Sequence, residues 1–232
     1  MDTASGPSEG FDRSAAVTRS LLGYGVLAGA VYLGAGLVLA LTREGFELAR
    51  HPLSLLMLGD GGWMQRANLV VAGAMVLVAA IGVARALGGS RHAAYAGGLL
   101  GLYGAALLAS AAFAPDAMAG FPPGAAGGEA SLSGILHLAS GAVGFVSLAA
   151  GALVVASWCA QRGARAWAAF TRASSAIIVL GFLGGAALST QTLGVVALWV
   201  AVVAGWAWLA ATSVHLYRTV PHPDADRRAP AA

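Results

Sequence analysis

The chain has 232 residues, of which 58% are hydrophobic and only 10% are charged, with a formal net charge of +3. Soluble globular domains carry about a quarter charged residues, so the composition excludes that class and predicts an integral membrane protein. All thirteen basic residues are Arg, and they are spread along the chain without a basic face that interleaves with aromatic residues. We therefore expect no nucleic-acid partner.

Six uncharged apolar runs are long enough to cross a bilayer, because a spanning helix needs roughly 20 residues that each rise about 1.5 Å. They predict an all-α fold, a single bundle of six transmembrane helices over residues 19–217. Residues 1–18 and 218–232 are polar, and we interpret them as flexible cytoplasmic termini. The runs are 21–41, 67–84, 93–114, 132–160, 173–189 and 193–216.

Small residues recur at helical spacing on the first, third and fourth runs. Helices in lipid associate by close backbone contact at small residues, so these stripes are predicted to face neighbouring helices. We interpret three Trp residues of the last run, Trp199, Trp206 and Trp208, as lipid-facing or interfacial anchors. The stripes comprise Gly25 and Gly29, then Gly97 and Gly101, then Ser133, Ser140, Gly141, Gly144 and Gly151.

The Arg residues fix the expected orientation. Ten of the thirteen lie in the two termini or in the connectors after the second and fourth runs, and only Arg43, Arg50 and Arg66 lie elsewhere. The positive-inside rule then predicts a cell-membrane protein with both termini cytoplasmic. The connectors after the first, third and fifth runs are correspondingly expected outside the cell.

The first outer connector contains "RHPLSLLMLGDGGWMQRAN", residues 50–68. Its LSLLML run is too short to span and too apolar for an ordinary loop, so it predicts a re-entrant or roof-like segment at the extracytoplasmic end. Gly59, Gly61 and Gly62 permit the sharp reversal that such a path needs. Trp63 is expected to anchor the exit of the segment at the interface.

Polar side chains gather at this same predicted end of the bundle. We take Asp116 and His137 as the candidate acid and base, with Ser54 as a candidate nucleophile. Each also has a structural interpretation: a turn carboxylate for Asp116, and for His137 a hydrogen bond to a carbonyl of another helix, or to Ser133, Ser140 or Asp116. The candidate ligand-binding residues are His51, Trp63, Gln65, Arg66 and Asn68.

The sequence predicts no metal and no cofactor. His51, Asp116 and His137 are suitable zinc ligands by type, but no two of them have a local ligand spacing such as that of H-E-x-x-H. A Ser54 nucleophile would lack the G-x-S-x-G elbow. The single cysteine, Cys159, cannot form an intramolecular disulfide and is interpreted as a buried apolar residue.

Three motifs in this order, "RHPLSLLMLGDGGWMQRANLVVAG", "AAFAPDAMAGFPPG" and "GILHLASGAVGF", resemble a six-helix prokaryotic membrane family known as domain of unknown function nine-nine-eight. The chain is also distantly similar to DRAM-type membrane proteins. The resemblance implies six helices from Leu21 to about Tyr217 and an outward motif cluster. It implies no reaction. Its motif positions correspond here to Ser54, Gly59, Trp63, Asn68, Asp116 and His137.

Two functional hypotheses follow. In the first, the protein binds or organises a lipid or isoprenoid at the outer end of the bundle, with membrane lipids as partners. In the second, it is an intramembrane hydrolase, isomerase or prenyl-chain cyclase that uses Asp116 and His137 on a lipid-like substrate. A transporter is less favoured because the chain has no inverted repeats or paired broken helices. The sequence leaves the oligomeric state open.

Overall fold

The computed structural model describes residues 11–125 and 130–224. The greater part of both predicted flexible termini, including Arg227 and Arg228, lies outside the described residues, as do residues 126–129 between the third and fourth apolar runs. Six helices are long and apolar enough to cross a membrane, and no strand is present in the described ranges, so the predicted all-α, six-helix fold is confirmed. The helices are α1 (Arg13–Thr42), α2 (Gly62–Ala86), α3 (Arg91–Ala112), α4 (Leu132–Gln161), α5 (Arg165–Ala187) and α6 (Thr192–Thr219).

Polar residues in the flanking turns start three of the helices. Asp12, Ser90 and Ser131 each precede a helix and accept a hydrogen bond from the backbone amide three residues later. Such a cap satisfies one of the amides that have no partner inside the helix. Helix α2 instead begins after Gly61, whose φ of 79° lies in the left-handed region that favours glycine.

The six helices form a closed ring. Each helix packs against the next in sequence, and α1 packs against α6. The chain ends meet where the amide of Asp12 donates to the carbonyl of Pro223, 2.9 Å away. We call this side of the bundle the termini end. The opposite side, which holds the connectors after α1, α3 and α5, is the connector end.

The small-residue stripe of α1 faces α6. A Cβ added at Gly25 would overlap the hydroxyl of Ser213, and one at Gly29 would lie 3.3 Å from Cβ of Trp206. On α3, Gly97 packs on Ala84 of α2, whereas Gly101 has no neighbouring atom within 4 Å of an added Cβ. The stripe prediction therefore holds for α1 and for one of the two glycines on α3.

The interpretation of the α6 tryptophans as lipid-facing anchors is wrong for two of the three. Trp206 is 2% exposed and Trp208 is fully buried, because α6 packs against both α1 and α5 and also contacts α2 and α4. Trp206 stacks near Tyr32 of α1, with ring centroids 5.0 Å apart. These rings therefore fill the interior of the bundle.

The α1–α2 connector covers part of the connector end, and we call its residues 43–61 the roof. The LSLLM part of the apolar run forms a 3-10 helix, Leu53–Met57, that packs against α1 and α2. Leu55 and Leu56 are at most 1% exposed. Gly59 and Gly61 both have φ in the left-handed region, at 65° and 79°, and they reverse the chain into α2. The apolar run is thus buried in protein.

Candidate functional site

A cavity of about 550 Å³ lies inside the connector end of the bundle. All six helices contribute to its lining, the start of the 3-10 helix adds Pro52 to Leu55, and the α3–α4 connector adds Pro115 to Met118. The lining is mostly apolar and aromatic. Three of its polar groups are the predicted catalytic residues Ser54, Asp116 and His137, so the fold brings all three to one cavity.

His137 is held in place by the end of α3. Its Nδ1 lies 2.9 Å from the carbonyl oxygen of Phe113 and 3.1 Å from that of Ser110. Both partners are acceptors, so Nδ1 must carry a proton and donate it. In the neutral ring Nε2 is then an unprotonated acceptor, and it has no hydrogen-bond partner among the residues that the structure describes.

The carboxylate of Asp116 sits at the start of α4. Ser131 donates to it twice, from its hydroxyl to Oδ1 at 2.5 Å and from its backbone amide to Oδ2 at 3.1 Å. The Ser131 hydroxyl in turn caps α4 by accepting from the amide of Gly134. A negative charge is stabilised at a helix N-terminus by the exposed amides and the helix dipole. Asp116 therefore has a structural role as well as a place in the cavity wall.

Gly134 allows Asp116 to approach the helix. A Cβ added at position 134 would overlap the carboxylate, so only glycine leaves room there. Position 134 is one turn before His137 on the same helix. The carboxylate and the imidazole therefore line neighbouring parts of the cavity, and neither uses the other as a hydrogen-bond partner in the described structure.

Ser54 and two buried tyrosines also line the cavity, as do Ser110, Ser140, Ser189 and Thr190. Ser54 is half-buried and makes no hydrogen bond within the described residues. Tyr32 and Tyr103 lie deeper, on α1 and α3, and both rings pack near Trp206, with centroids 5.0 Å and 5.9 Å away. These aromatic rings bound the cavity toward the middle of the membrane span.

His51 belongs to the roof and does not line the cavity. Its side chain is 1% exposed. Nδ1 accepts from the amide of Glu47 at 2.8 Å, so Nε2 carries the proton and donates to the carbonyl of Ala119 at 3.1 Å. The ring also packs between Phe46 and Phe121. With both nitrogens occupied, His51 joins the roof to the α3–α4 connector.

The other four predicted ligand-binding residues lie along the first turns of α2, outside the cavity lining. Gln65 and Asn68 are buried, and the Asn68 amide donates to Gln65 Oε1 and to the carbonyl of Tyr32. Trp63 and Arg66 are exposed, Trp63 by 69%. The fold therefore separates the predicted residues into two groups. Ser54, Asp116 and His137 line the cavity, and the five predicted ligand-binding residues lie in the roof or on α2. Their binding roles stay predictions.

Several cavity residues were not predicted from the sequence. Ser131 and Gly134 place Asp116, and Phe145, Phe182 and Trp199 supply apolar walls. The S-x-x-G pattern at positions 131–134 is the one available signal, because a Ser before an apolar run indicates an N-cap. The aromatic residues lie in runs that are apolar all round, so the pattern does not show which of them face a cavity.

No group of three or more His, Cys, Asp or Glu side chains lies close enough to hold a metal ion in the two ranges that the structure describes. The three residues considered above as zinc ligands are His51, Asp116 and His137, and each has other partners. His51 uses both ring nitrogens for hydrogen bonds in the roof, Asp116 accepts from Ser131, and His137 donates to the end of α3.

Comparison with known proteins identifies one family. The model of a family described as "Protein of unknown function (DUF998)" matches residues 26–215 of the chain. The match covers all six helices at least in part and includes every residue of the cavity lining. No curated protein and no solved structure matches the chain.

Proposed function

We propose that this chain, which belongs to the DUF998 family of multi-pass membrane proteins, binds a single lipid or isoprenoid molecule at the connector end. The description of the family gives no activity, so the proposal is argued from the cavity. The observation that carries this proposal is the arrangement of the lining. A mostly apolar chamber of about 550 Å³ holds Ser54, Asp116 and His137 among its hydrogen-bonding groups.

The distribution of polarity favours an amphipathic ligand. Binding sites of about 300–1,000 Å³ that are apolar with a few placed polar groups are typical of small-molecule sites. Nε2 of His137 and the hydroxyl of Ser54 are both free to bond a headgroup, one as acceptor and one as donor. Phe145, Phe182 and Trp199 supply surface for the first part of a hydrocarbon chain.

The wall formed by α4 supports entry from the bilayer. Leu138 lines the cavity and its side chain is 55% exposed. It lies six residues, or about 9 Å, after the start of α4 at Leu132. A lipid chain that leaves the cavity beside Leu138 would therefore enter hydrocarbon, where its burial costs nothing.

The connector end is extracytoplasmic in this proposal. The support is the Arg distribution along the sequence, in which ten of the thirteen Arg residues lie in the two termini or in the connectors after the second and fourth apolar runs. The headgroup bound near His137 would then belong to the outer leaflet of the cell membrane.

Native mass spectrometry of the full-length protein tests the binding proposal. A Gly141→Leu substitution fills the cavity without changing a polar group, since the only atoms within 4 Å of an added Cβ belong to Phe182. Gly98→Leu is the matched control, because Gly98 lies on the exposed side of α3 with no atom within 4 Å. We expect one retained lipid for the wild type and G98L and little for G141L.

Two outcomes contradict the proposal: wild-type protein that carries no lipid above the detergent background, and G141L that retains the same lipid as the wild type. Size-exclusion profiles of both variants show whether either substitution disturbs the fold.

A second candidate function, catalysis on the bound lipid, is supported by the state of His137. Its Nδ1 donates to two carbonyls, which leaves Nε2 without a protein partner in the described structure. A neutral imidazole with a fixed tautomer is suited to act as a general base. The hydroxyl of Ser54, which lines the same cavity, is one group from which such a base could take a proton.

His137→Asn separates the structural and chemical roles of this residue. Asn retains an N–H donor near the position of Nδ1 but has no atom in place of Nε2. For an enzyme, mass spectrometry of a membrane lipid extract incubated with purified protein should show a product with the wild type and none with H137N, while lipid binding persists. If the wild type forms no product from the extract, the catalytic candidate is rejected and the binding proposal stands.

A further inference from the structure

A second pocket lies at the termini end, across the bundle from the cavity. Its volume is about 270 Å³, and it opens between the ends of α2, α4 and α6 and the start of α5. We call it the arginine pit. It is lined by Ala86, Trp158, Arg162, Ala164, His215 and Thr219.

Arg162 provides a positive charge that has no acidic partner. No carboxylate forms an ion pair with it within the described ranges. Its guanidinium lies over the ring of Trp158, 4.4 Å from the centroid, and this cation–π contact holds the charge against the pit. The planar face is thus used by Trp158, while the five N–H donors at the edge of the guanidinium remain available for an acceptor such as phosphate.

The surrounding charge is also positive. The termini end carries Arg13, Arg19, Arg85, Arg91, Arg162, Arg165 and Arg218. Its two carboxylates among the described residues are Asp12, which caps α1, and Asp224, which lies beside His222. Arg19 and Arg85 are turned toward neutral partners, a carbonyl, hydroxyls and the ring of Tyr217. This excess of positive charge attracts anions.

Two further features of the pit offer hydrogen-bond donors. Helix α5 begins beside it with Ala164 as N-cap, which provides no side-chain cap. The amide of Arg165 donates to the carbonyl of Gly163, and the amides of Ala166 and Trp167 are left for another acceptor in the described structure. Independently, Trp158 is only 7% exposed, and its indole N–H has no partner within the described structure. A buried donor without an acceptor is costly.

We propose that the arginine pit binds a phosphate-bearing anion, with Arg162 as its main charged contact and the start of α5 as the second. The volume of the pit accommodates a phosphate group with a small substituent. Two sources share this chemistry: the headgroup of an anionic lipid, for which basic pockets between transmembrane helices are suited, and a free phosphate compound. The proposal concerns the opposite end of the bundle from the cavity and is independent of the lipid proposal above.

The test uses full-length protein in phosphatidylcholine nanodiscs and follows its thermal unfolding. In one arm inorganic phosphate is titrated against chloride at equal ionic strength. In the other, phosphatidic acid replaces part of the phosphatidylcholine. The variants are R162Q and its matched control R165Q, which removes an equally exposed Arg from the next helix start but does not line the pit.

We expect a rise in melting temperature in at least one arm for the wild type and R165Q. R162Q should need about tenfold more anion for the same rise, because it loses a charge-assisted hydrogen bond. W158F retains the ring and loses the indole N–H, so it should also weaken the response. If R162Q does not fold, R162K takes its place, since it retains the charge but not the bidentate geometry.

A response in the lipid arm alone assigns a lipid headgroup as the ligand, and a response in the phosphate arm alone assigns a soluble phosphate compound. The absence of a response in both arms overturns the proposal. Equal weakening by R162Q and R165Q also overturns it, because this result would indicate attraction to the general positive surface. So would a response that neither R162Q nor R162K changes.

Discussion

Gly134→Ala tests the position of Asp116 more directly than any change of Asp116 itself. In an open helix position, Gly to Ala stabilises a protein by up to about 1 kcal/mol. At position 134, however, the new methyl group would occupy the space of the Asp116 carboxylate. The carboxylate must then leave Ser131, and two charged hydrogen bonds are lost.

The magnitude follows from these two opposing contributions. Hydrogen bonds to charged groups contribute about 1.5–3 kcal/mol each, but Ser131 is exposed and water replaces part of the interaction. A combined loss of about 2 kcal/mol against a gain of up to about 1 kcal/mol leaves G134A destabilised by about 1 kcal/mol. In an Asp116→Ala background the obstruction is absent, so the same substitution should stabilise the protein.

A double-mutant cycle measures this change of sign. The free energy of unfolding is obtained from titration with a denaturing detergent for the wild type, G134A, D116A and the double variant, and the expected coupling is about 2 kcal/mol. Gly98→Ala, on the open side of α3, serves as the control for helix propensity. If G134A has the same effect with and without Asp116, the carboxylate does not occupy the position described here.

Two further predictions concern the roof and the orientation. His51→Phe retains the packing against Phe46 and Phe121 but leaves the Glu47 amide and the Ala119 carbonyl unpaired. The same detergent titration should therefore show a free energy of unfolding lower by about 2 kcal/mol. Unchanged stability would contradict the bridging role of His51. In a Cys159→Ala background, Asp60→Cys at the exposed tip of the roof should react with a membrane-impermeant maleimide on intact cells, and Arg91→Cys should react only after permeabilisation. The opposite labelling pattern would reverse the orientation inferred from the Arg residues.

The number of helices and the starts of α3, α4 and α6 follow from the sequence to within two residues, but the starts of α1, α2 and α5 do not. Helix α2 begins at Gly62, where the apolar run predicted 67, and α5 begins at Arg165, where it predicted 173. In the sequence, each of these two apolar runs begins directly after an Arg, Arg66 or Arg172. These two side chains are exposed on the helix surface in the structure, and a long Arg side chain reaches from a helix to the membrane interface while its stem stays in apolar surroundings. A charged residue at the edge of an apolar run therefore does not mark the boundary of the helix.

The sequence predicts at which end of the bundle the site lies, but not which side chains meet there. Alternation of six helices places His51 and His137 at the same end without any knowledge of packing. Their different roles depend on contacts distant in sequence, since His51 bonds to Ala119 and His137 to Ser110 and Phe113. Apolar helices carry no polar face that distinguishes the lipid side from the inside, which is also why the burial of Trp206 and Trp208 was missed.

The small residues of α4 shape one wall of the cavity. Near the termini end, Gly151 faces Leu99 and Leu100 of α3, whose side chains lie 3.6 Å and 3.9 Å from an added Cβ. Near the connector end, Gly141 has only the ring of Phe182 within that distance, and Gly134 faces the Asp116 carboxylate. Gly151 and Gly141 therefore both have a bulky side chain at contact distance, and at the connector end Ser140, Gly141 and Gly144 together keep the α4 wall of the cavity low. Ser54 and Asp116 reach the cavity from the connectors, so substitutions at these small residues of α4 change the shape of the site while its connector-borne polar groups stay the same.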